Sequence, residues 1–71
     1  MKYKYRHQGT THRIERVSDK TFAEKGFSQY FLDQYRKYAP DYEPFYDHTT
    51  KTYKMVSMSF LRKYGIKEDE E

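Results

Sequence analysis

Three histidines, His7, His12 and His48, are the side chains of this chain that could exchange a proton near neutral pH. No two of them lie four residues apart, the spacing that puts two imidazoles on one helix face for a metal ion, and none sits beside a pair of carboxylates. The chain has no cysteine, and its three glycines are isolated from one another, so thiolate zinc sites and glycine-rich phosphate loops are excluded. We therefore expect no catalytic residue, no metal and no cofactor, and we expect the histidines to be exposed.

The distribution of charge is more informative. The net charge is +3, but residues 68–71 are all acidic, so residues 1–67 hold all 14 Lys and Arg with only 7 of the 11 acids and carry +7. A basic body suits a polyanionic partner such as nucleic acid. The acidic end is typical of a solubilising segment or of one that docks on a protein. No apolar run approaches the ~20 residues of a membrane span, and none follows the charged start as in a signal peptide, so we expect a cytoplasmic protein.

Basic and aromatic residues alternate at the start of the chain. Lys2, Lys4 and Arg6 fall on one side of an extended segment, and Tyr3 and Tyr5 fall on the other. One interpretation is a mobile arm whose basic side chains follow a nucleic-acid backbone while its tyrosines stack on the nucleobases. The other is a strand with buried tyrosines, whose lysines discourage pairing with other chains. Residues 1–17 are thus an arm or a small hairpin with a turn near residues 8–11.

Capping signals then predict two helices. Ser18 is the first N-cap candidate of a short helix that stops at Gly26, and Thr21 is the second, with Glu24 as its capping-box partner. Ser28 caps a second helix over about residues 29–38, which ends before Pro40. Short aliphatic side chains are scarce, with two each of Leu, Ile and Val against nine Tyr and five Phe, so the core must be aromatic. The side chains expected to face inward from these two helices are Phe22, Ala23, Phe27, Phe31, Leu32, Tyr35 and Tyr38.

The rest of the chain predicts a hairpin and a closing helix. Strand-like runs at 45–46 and 53–56 flank a polar loop over 47–52. Ser57 or Ser59 caps a last helix that Gly65 ends. Its expected inner face is Phe60, Leu61 and Tyr64. Residues 66–71 are expected to be disordered.

A helix, a tight turn containing glycine and a second helix form the outline of a helix-turn-helix, whose second helix meets base edges in the major groove. Here the turn is Gly26-Phe27-Ser28. The second helix would then present its early polar side chains to the DNA bases and its later basic side chains to the phosphates. These side chains are Gln29, Tyr30, Asp33, Gln34, Arg36 and Lys37.

Over residues 18–65 the chain resembles the winged-helix module of phage and transposon excisionases and is similar to the head of MerR-type regulators. The residues that carry the likeness are Glu24-Lys-Gly26-Phe27-Ser28, Leu32, Tyr35, the aromatic hairpin, Phe60-Leu61 and Tyr64. The resemblance implies a small α+β winged helix-turn-helix, with an N-terminal strand or arm, two helices, a β-hairpin wing and a short closing helix. It assigns Ser28, Gln29, Tyr30, Asp33 and Arg36 to the recognition helix and Thr49, Thr50 and Lys51 to the wing. Two features depart from the more basic family pattern: the acidic Asp33 on the recognition helix, and a wing tip whose single basic residue is Lys51.

The expected function is sequence-specific binding of double-stranded DNA by a phage or mobile-element protein. In an excisionase-like role, several copies bend the DNA and help a recombinase to assemble, with the acidic tail or a Tyr-rich face contacting the recombinase or a neighbouring copy. Two alternatives remain open. The chain could be a small phage or plasmid protein that binds and inhibits a host protein, since tyrosines anchor many interfaces. It could also bind single-stranded DNA or RNA by stacking on tyrosines.

Overall fold

A computed structural model of the chain describes residues 1–68. The elements are β1 Lys2–His7, β2 Thr10–Arg16, α1 Asp19–Glu24, α2 Gln29–Tyr38, β3 Tyr42–Asp47, β4 Thr52–Ser57, α3 Met58–Tyr64 and β5 Ile66–Lys67. All strands belong to one antiparallel sheet with the order β4-β3-β2-β1-β5. The predicted α+β class is confirmed, and the sheet is larger than the single hairpin that the sequence predicts for residues 18–65.

The N-terminal segment is a hairpin and not a free arm. Gln8 and Gly9 connect β1 to β2 with φ angles of 51° and 79°, and two successive positive values are the signature of the type I′ turn that matches strand twist. Strand β2 also pairs with β3, so this hairpin joins the rest of the sheet.

The predicted disorder of residues 66–71 is wrong for its first part. Ile66 and Lys67 form β5, which pairs with β1, and the Glu68 N–H donates to the Lys2 carbonyl at 2.9 Å. Main-chain pairing with β1 is what orders this stretch, and its sequence alone carries no strand signal. The remaining part of the prediction, residues 69–71, lies outside the described residues.

The sheet has helices on both faces. Helix α3 covers one face, where its Leu61 packs with Ile14, Phe45 and Val56. Because neighbouring side chains along a strand point to opposite faces, the β3–β4 register places Tyr42 and Tyr53 on the other face. There helices α1 and α2 contact the sheet through two ring pairs, Phe22–Tyr53 at 6.3 Å and Tyr35–Tyr42 at 5.5 Å.

The serine caps confirm most of the predicted helix boundaries. The side chains of Ser18, Ser28 and Ser57 accept hydrogen bonds from the N–H groups of Thr21, Phe31 and Phe60. Ser57, and not Ser59, is therefore the N-cap of α3. Helix α2 spans the predicted 29–38, and Gly26, with a φ of +106°, makes the turn between α1 and α2.

Three side chains that were expected to face inward are exposed. Tyr38 and Tyr64 are 71% and 60% exposed, and Ala23 is exposed as well. Tyr38 and Tyr64 are each the last residue of a helix, and each carries a lysine ammonium over its ring. The expectation of an aromatic core is confirmed only in part. Phe22 and Phe45 are fully buried, and Phe22 stacks on Phe27 with centroids 4.1 Å apart, but the other buried hydrophobic residues are the aliphatic Ile14, Leu32, Val56 and Leu61.

Candidate nucleic-acid interface

Half of one sheet face carries a group of basic side chains. The β1–β2 register and strand alternation place Lys2, Lys4 and Arg6 of β1 on the same face as Arg13 of β2, opposite the face that α3 covers. Helices α1 and α2 lie over β3 and β4 on this face and leave β1 and β2 open to solvent. We call Lys2, Lys4, Arg6 and Arg13 the basic sheet face.

Two carboxylates sit on this surface. Glu15 pairs with Lys2 across β1 and β2, and its side chain lies 3.0 Å from His48 Nε2. The other is Glu68. An oxygen of Glu68 lies 3.9 Å from Lys4 Nζ and 3.4 Å from Arg13 NH1. Lys2 and Arg6 have no carboxylate within ion-pair distance among residues 1–68. Glu68 therefore occupies the position that an external anion would take between two of the four cations.

The β3–β4 turn lies beside the basic sheet face. The Thr49 hydroxyl accepts from the Arg13 N–H at 3.0 Å and donates to the Thr11 carbonyl at 3.2 Å. Next to it, Thr50 and Lys51 are exposed, and Lys51 has a φ of 60°. The predicted wing residues thus join the predicted arm residues at one end of the sheet, a proximity that spacing in the sequence does not reveal.

Arg36 of α2 is held by acidic residues of the protein itself. Its guanidinium donates to both carboxylate oxygens of Asp19, at 2.6 and 2.7 Å, and to Glu43 at 3.2 Å. The hydrogen bonds to Asp19, and then those to Glu43, raise the pKa of Arg36. A guanidinium engaged in this way has few donors left for a phosphate. Arg36 therefore links α2 to α1 and β3.

The other predicted residues of α2 form a surface with little net charge. Gln29 donates to Asp33 at 3.0 Å, and Ser28 is engaged as the cap. Tyr30 is 72% exposed, and Gln34 is half-buried. Lys37 lies over the ring of the next residue, with its Nζ 5.2 Å from the centroid of Tyr38. This helix therefore offers one unpaired cation among its predicted contact residues, fewer than the basic sheet face offers.

Tyr3 and Tyr5 lie on the opposite face of the sheet from Lys2, Lys4 and Arg6. Tyr3 contacts Phe45 edge-on at 6.2 Å, and Tyr5 contacts Phe60 of α3 at 5.3 Å. The strand interpretation of this segment therefore agrees with the structure. These two rings are half-buried, and they pack on the face that α3 covers.

A buried ion cluster was not expected from the sequence. Asp47 is fully buried, and one of its oxygens lies 2.8 Å from His12 Nδ1 and 2.8 Å from Lys54 Nζ. Its other oxygen accepts from the N–H groups of Thr49 and Thr50, at 2.8 and 3.1 Å. The expectation that His12 is exposed is wrong, because the fold brings it to an aspartate 35 residues away. The order Asp-x-Thr-Thr is the turn signal that could have found the Asp47 part of the cluster.

The negative charge of Asp47 is stabilised by the hydrogen-bond donors around it. Burial raises the pKa of Asp47, but the hydrogen bonds from Lys54, His12, Thr50 and Thr49 outweigh it and lower that pKa to about 2. Burial lowers the pKa of Lys54, but its hydrogen bond to Asp47 and its charge interactions with Tyr5 and Asp47 together outweigh burial, so the net direction is upward. The cluster fixes the β3–β4 turn and thereby the position of Thr49 beside Arg13.

Residues 1–68 contain no group of three or more His, Asp or Glu side chains arranged to hold a metal ion. None of the described helices has the length and apolar character needed to cross a membrane. A scan of protein-family models and searches of curated proteins and of solved structures return no match to this chain.

Proposed function

We propose that this protein binds duplex DNA through the basic sheet face and the neighbouring β3–β4 turn. The observation that carries the proposal is the convergence of Lys2, Lys4, Arg6 and Arg13 on one open sheet face. Phosphate contacts supply most of the affinity of a protein for DNA, and they require cations that are not already neutralised. Lys2 and Arg6 meet this condition among the described residues, and Arg36 does not.

Duplex DNA is favoured over a single strand by the position of the tyrosines. Binding to a single strand relies on aromatic rings that stack on bases beside the cations. Tyr3 and Tyr5 point away from the basic sheet face and pack against Phe45 and Phe60. The tyrosines of β1 are therefore not available to stack on bases beside the cations of the same strand, which favours contact with the phosphate backbone of a duplex.

The winged helix-turn-helix remains part of the proposal in a modified form. Helices α1 and α2 supply the helix pair, and the β3–β4 hairpin supplies the wing, with Thr49, Thr50 and Lys51 at its tip. In this proposal the wing and the sheet contact the DNA backbone, and the exposed residues Gln29 and Tyr30 contact the bases. Backbone contact of this kind suits an architectural protein that shapes DNA for a recombinase.

Fluorescence anisotropy with short random-sequence duplexes across a salt series tests this function. The variant Arg6→Ala/Arg13→Ala should weaken binding and lower the log–log salt slope by about 1 per lost phosphate contact. The matched control is Arg62→Ala/Lys63→Ala, which removes the same charge from the exposed side of α3. Equal losses in the two variants, or no salt-sensitive binding by the parent protein, would reject the proposal.

Binding to a protein is the second candidate, because α2 exposes two large tyrosines. Tyr30 and Tyr38 are 72% and 71% exposed. Tyr38 also lines a shallow apolar groove of about 210 Å³ with Gln34, Tyr35 and Ala39. Tyrosines of this kind are common anchors at interfaces. The variant Tyr38→Ala separates the two candidates, since Tyr38 has no place in the proposed DNA contact: it should leave DNA binding unchanged and weaken capture of a protein partner.

A further inference from the structure

Strand β4 forms one outer edge of the sheet, with β3 on one side and no described strand on the other. Two hydrogen bonds fix which backbone groups face that edge. The Pro44 carbonyl accepts from Val17, and the His48 N–H donates to the Arg13 carbonyl. Even-numbered residues of β3 therefore direct their backbone groups to β2, and odd-numbered residues direct theirs to β4.

The register carries this alternation into β4. Phe45 pairs with Lys54 and Glu43 pairs with Val56, so the backbone groups of Lys54 and Val56 face β3. Those of Tyr53, Met55 and Ser57 consequently face outward. A strand with unmade backbone hydrogen bonds along a straight edge is a template for another strand.

The two edges of the sheet are protected to different degrees. At the other edge, β5 is only two residues long, and β1 beside it carries Lys2, Lys4 and Arg6, which oppose pairing with other strands. Strand β4 has no proline and a single charged residue, Lys54. Its ammonium is turned inward to Asp47 at 2.8 Å, so it does not guard the edge.

We infer that β4 pairs with β4 of a second copy of this chain, antiparallel, about a two-fold axis at Met55. In this register Met55 faces Met55 of the second copy, Tyr53 faces Ser57, and Lys54 faces Val56. All three outward-facing residues then meet outward-facing residues, and each such pair exchanges two hydrogen bonds. The neighbouring register, with Tyr53 opposite Met55, places the two Lys54 side chains directly opposite each other, which is repulsive.

A second copy is the occupant because the strand is complementary to itself. A two-fold contact uses the same patch on both partners, and only such a contact closes without leaving another β4 edge exposed. The axis runs perpendicular to the sheet, so both basic sheet faces lie on the same side of the dimer. The inference does not depend on the proposed DNA binding.

Sedimentation velocity and residue-resolved amide exchange across a concentration series test the pairing. As dimer forms, the amides of Tyr53 and Met55 should become protected at least about tenfold, and those of Lys54 and Val56, already bonded to β3, should change little. Monomer at every concentration with rapidly exchanging Tyr53 and Met55 amides would overturn the inference. A dimer in which these two amides still exchange rapidly would overturn it as well.

A charge-swap experiment tests the register. Met55→Lys and Met55→Glu should each dimerise more weakly than the parent protein, because they place like charges opposite each other, with dissociation constants raised about two- to fivefold. An equimolar mixture of the two should form a heterodimer. Circular dichroism confirms folding of each variant, and the exchange experiment on the parent protein stands if either unfolds. Failure of two folded variants to combine would overturn the Met55-centred register.

Discussion

The imidazole of His12 and the carboxylate of Asp47 lie 2.8 Å apart although 35 residues separate them in the chain. Tyr5 stacks on the far side of the imidazole, with ring centroids 5.0 Å apart. The pair joins β2 to the end of β3, at the point where Asp47 also holds the backbone of the β3–β4 turn. His12 immediately precedes Arg13, so this buried contact positions a cation of the basic sheet face.

Replacing Asp47 should be one of the most damaging changes in the chain. Asp47→Ala removes the partner of two cationic or hydrogen-bonding groups, His12 and Lys54, and leaves a half-buried ammonium without its carboxylate. Breaking a buried pair in this way costs about 3–5 kcal/mol of unfolding free energy. Urea denaturation measures the loss. Asp33→Ala, which removes an exposed carboxylate, is the control and should change stability by less than about 0.5 kcal/mol.

Stability should fall in acid because of the same carboxylate. The folded pKa of Asp47 is about 2, below the ordinary value of 3.8 that applies when the chain is unfolded. A lowered folded pKa stabilises the protein above the unfolded value, so this contribution is full above about pH 5 and is lost as the pH falls towards 2. The loss amounts to about 2 kcal/mol. Denaturation of the Asp47→Asn variant over the same pH range should show a correspondingly smaller slope, and an unchanged slope would contradict the assignment.

The variant Arg36→Ala tests whether Arg36 is a structural residue or part of the proposed DNA-binding surface. Arg36→Ala removes the ion pairs to Asp19 and Glu43, and since these are partly exposed the expected loss is about 0.5–1 kcal/mol of unfolding free energy. The salt slope of DNA binding should stay the same, in contrast with Arg6→Ala. A lower salt slope for Arg36→Ala would indicate that α2 contacts the DNA phosphates, as the helix-turn-helix resemblance implies.

Local signals in the sequence predicted local structure well. Ser18, Ser28 and Ser57 act through hydrogen bonds to N–H groups three residues on, and Pro40 limits α2, so the information lies within one helical turn. Inward-facing residues were predicted less well at helix ends, where Tyr38 and Tyr64 are exposed. Spacing along one helix does not show where its neighbours stop.

Long-range pairing accounts for what the sequence did not predict. Strand β5 exists because β1 offers it a partner, and the partners of Arg36 and His12 come from elements 17 and 35 residues away. The basic sheet face needs both the β1–β2 register and the position of α1 and α2 over the other strands. The charge alternation of Lys2, Lys4 and Arg6 was visible in the sequence, but the addition of Arg13 and Thr49 was not.

Glu68 should act as an internal competitor for the proposed DNA site. Its carboxylate lies 3.9 Å from Lys4 Nζ and 3.4 Å from Arg13 NH1, and DNA must displace it to reach these two cations. Partly exposed pairs of this kind are worth about 0.2–1 kcal/mol each, so Glu68→Gln should tighten duplex binding about two- to fivefold at low salt, in an anisotropy titration. Salt screens exposed charges, so the gain should shrink as ionic strength rises.

The control for this prediction is Glu24→Gln, which makes the same change in net charge at an exposed position on α1. A general effect of net charge would tighten binding equally in the two variants, and the local contact would then have no special role. A gain confined to Glu68→Gln would show that DNA competes with this carboxylate for Lys4 and Arg13. Glutamine keeps the shape of the side chain, and the substitution leaves the backbone hydrogen bond from residue 68 to Lys2 in place, so β5 should remain paired in the variant. The amide exchange of Ile66 and of residue 68, the two amides that face β1, measures whether it does.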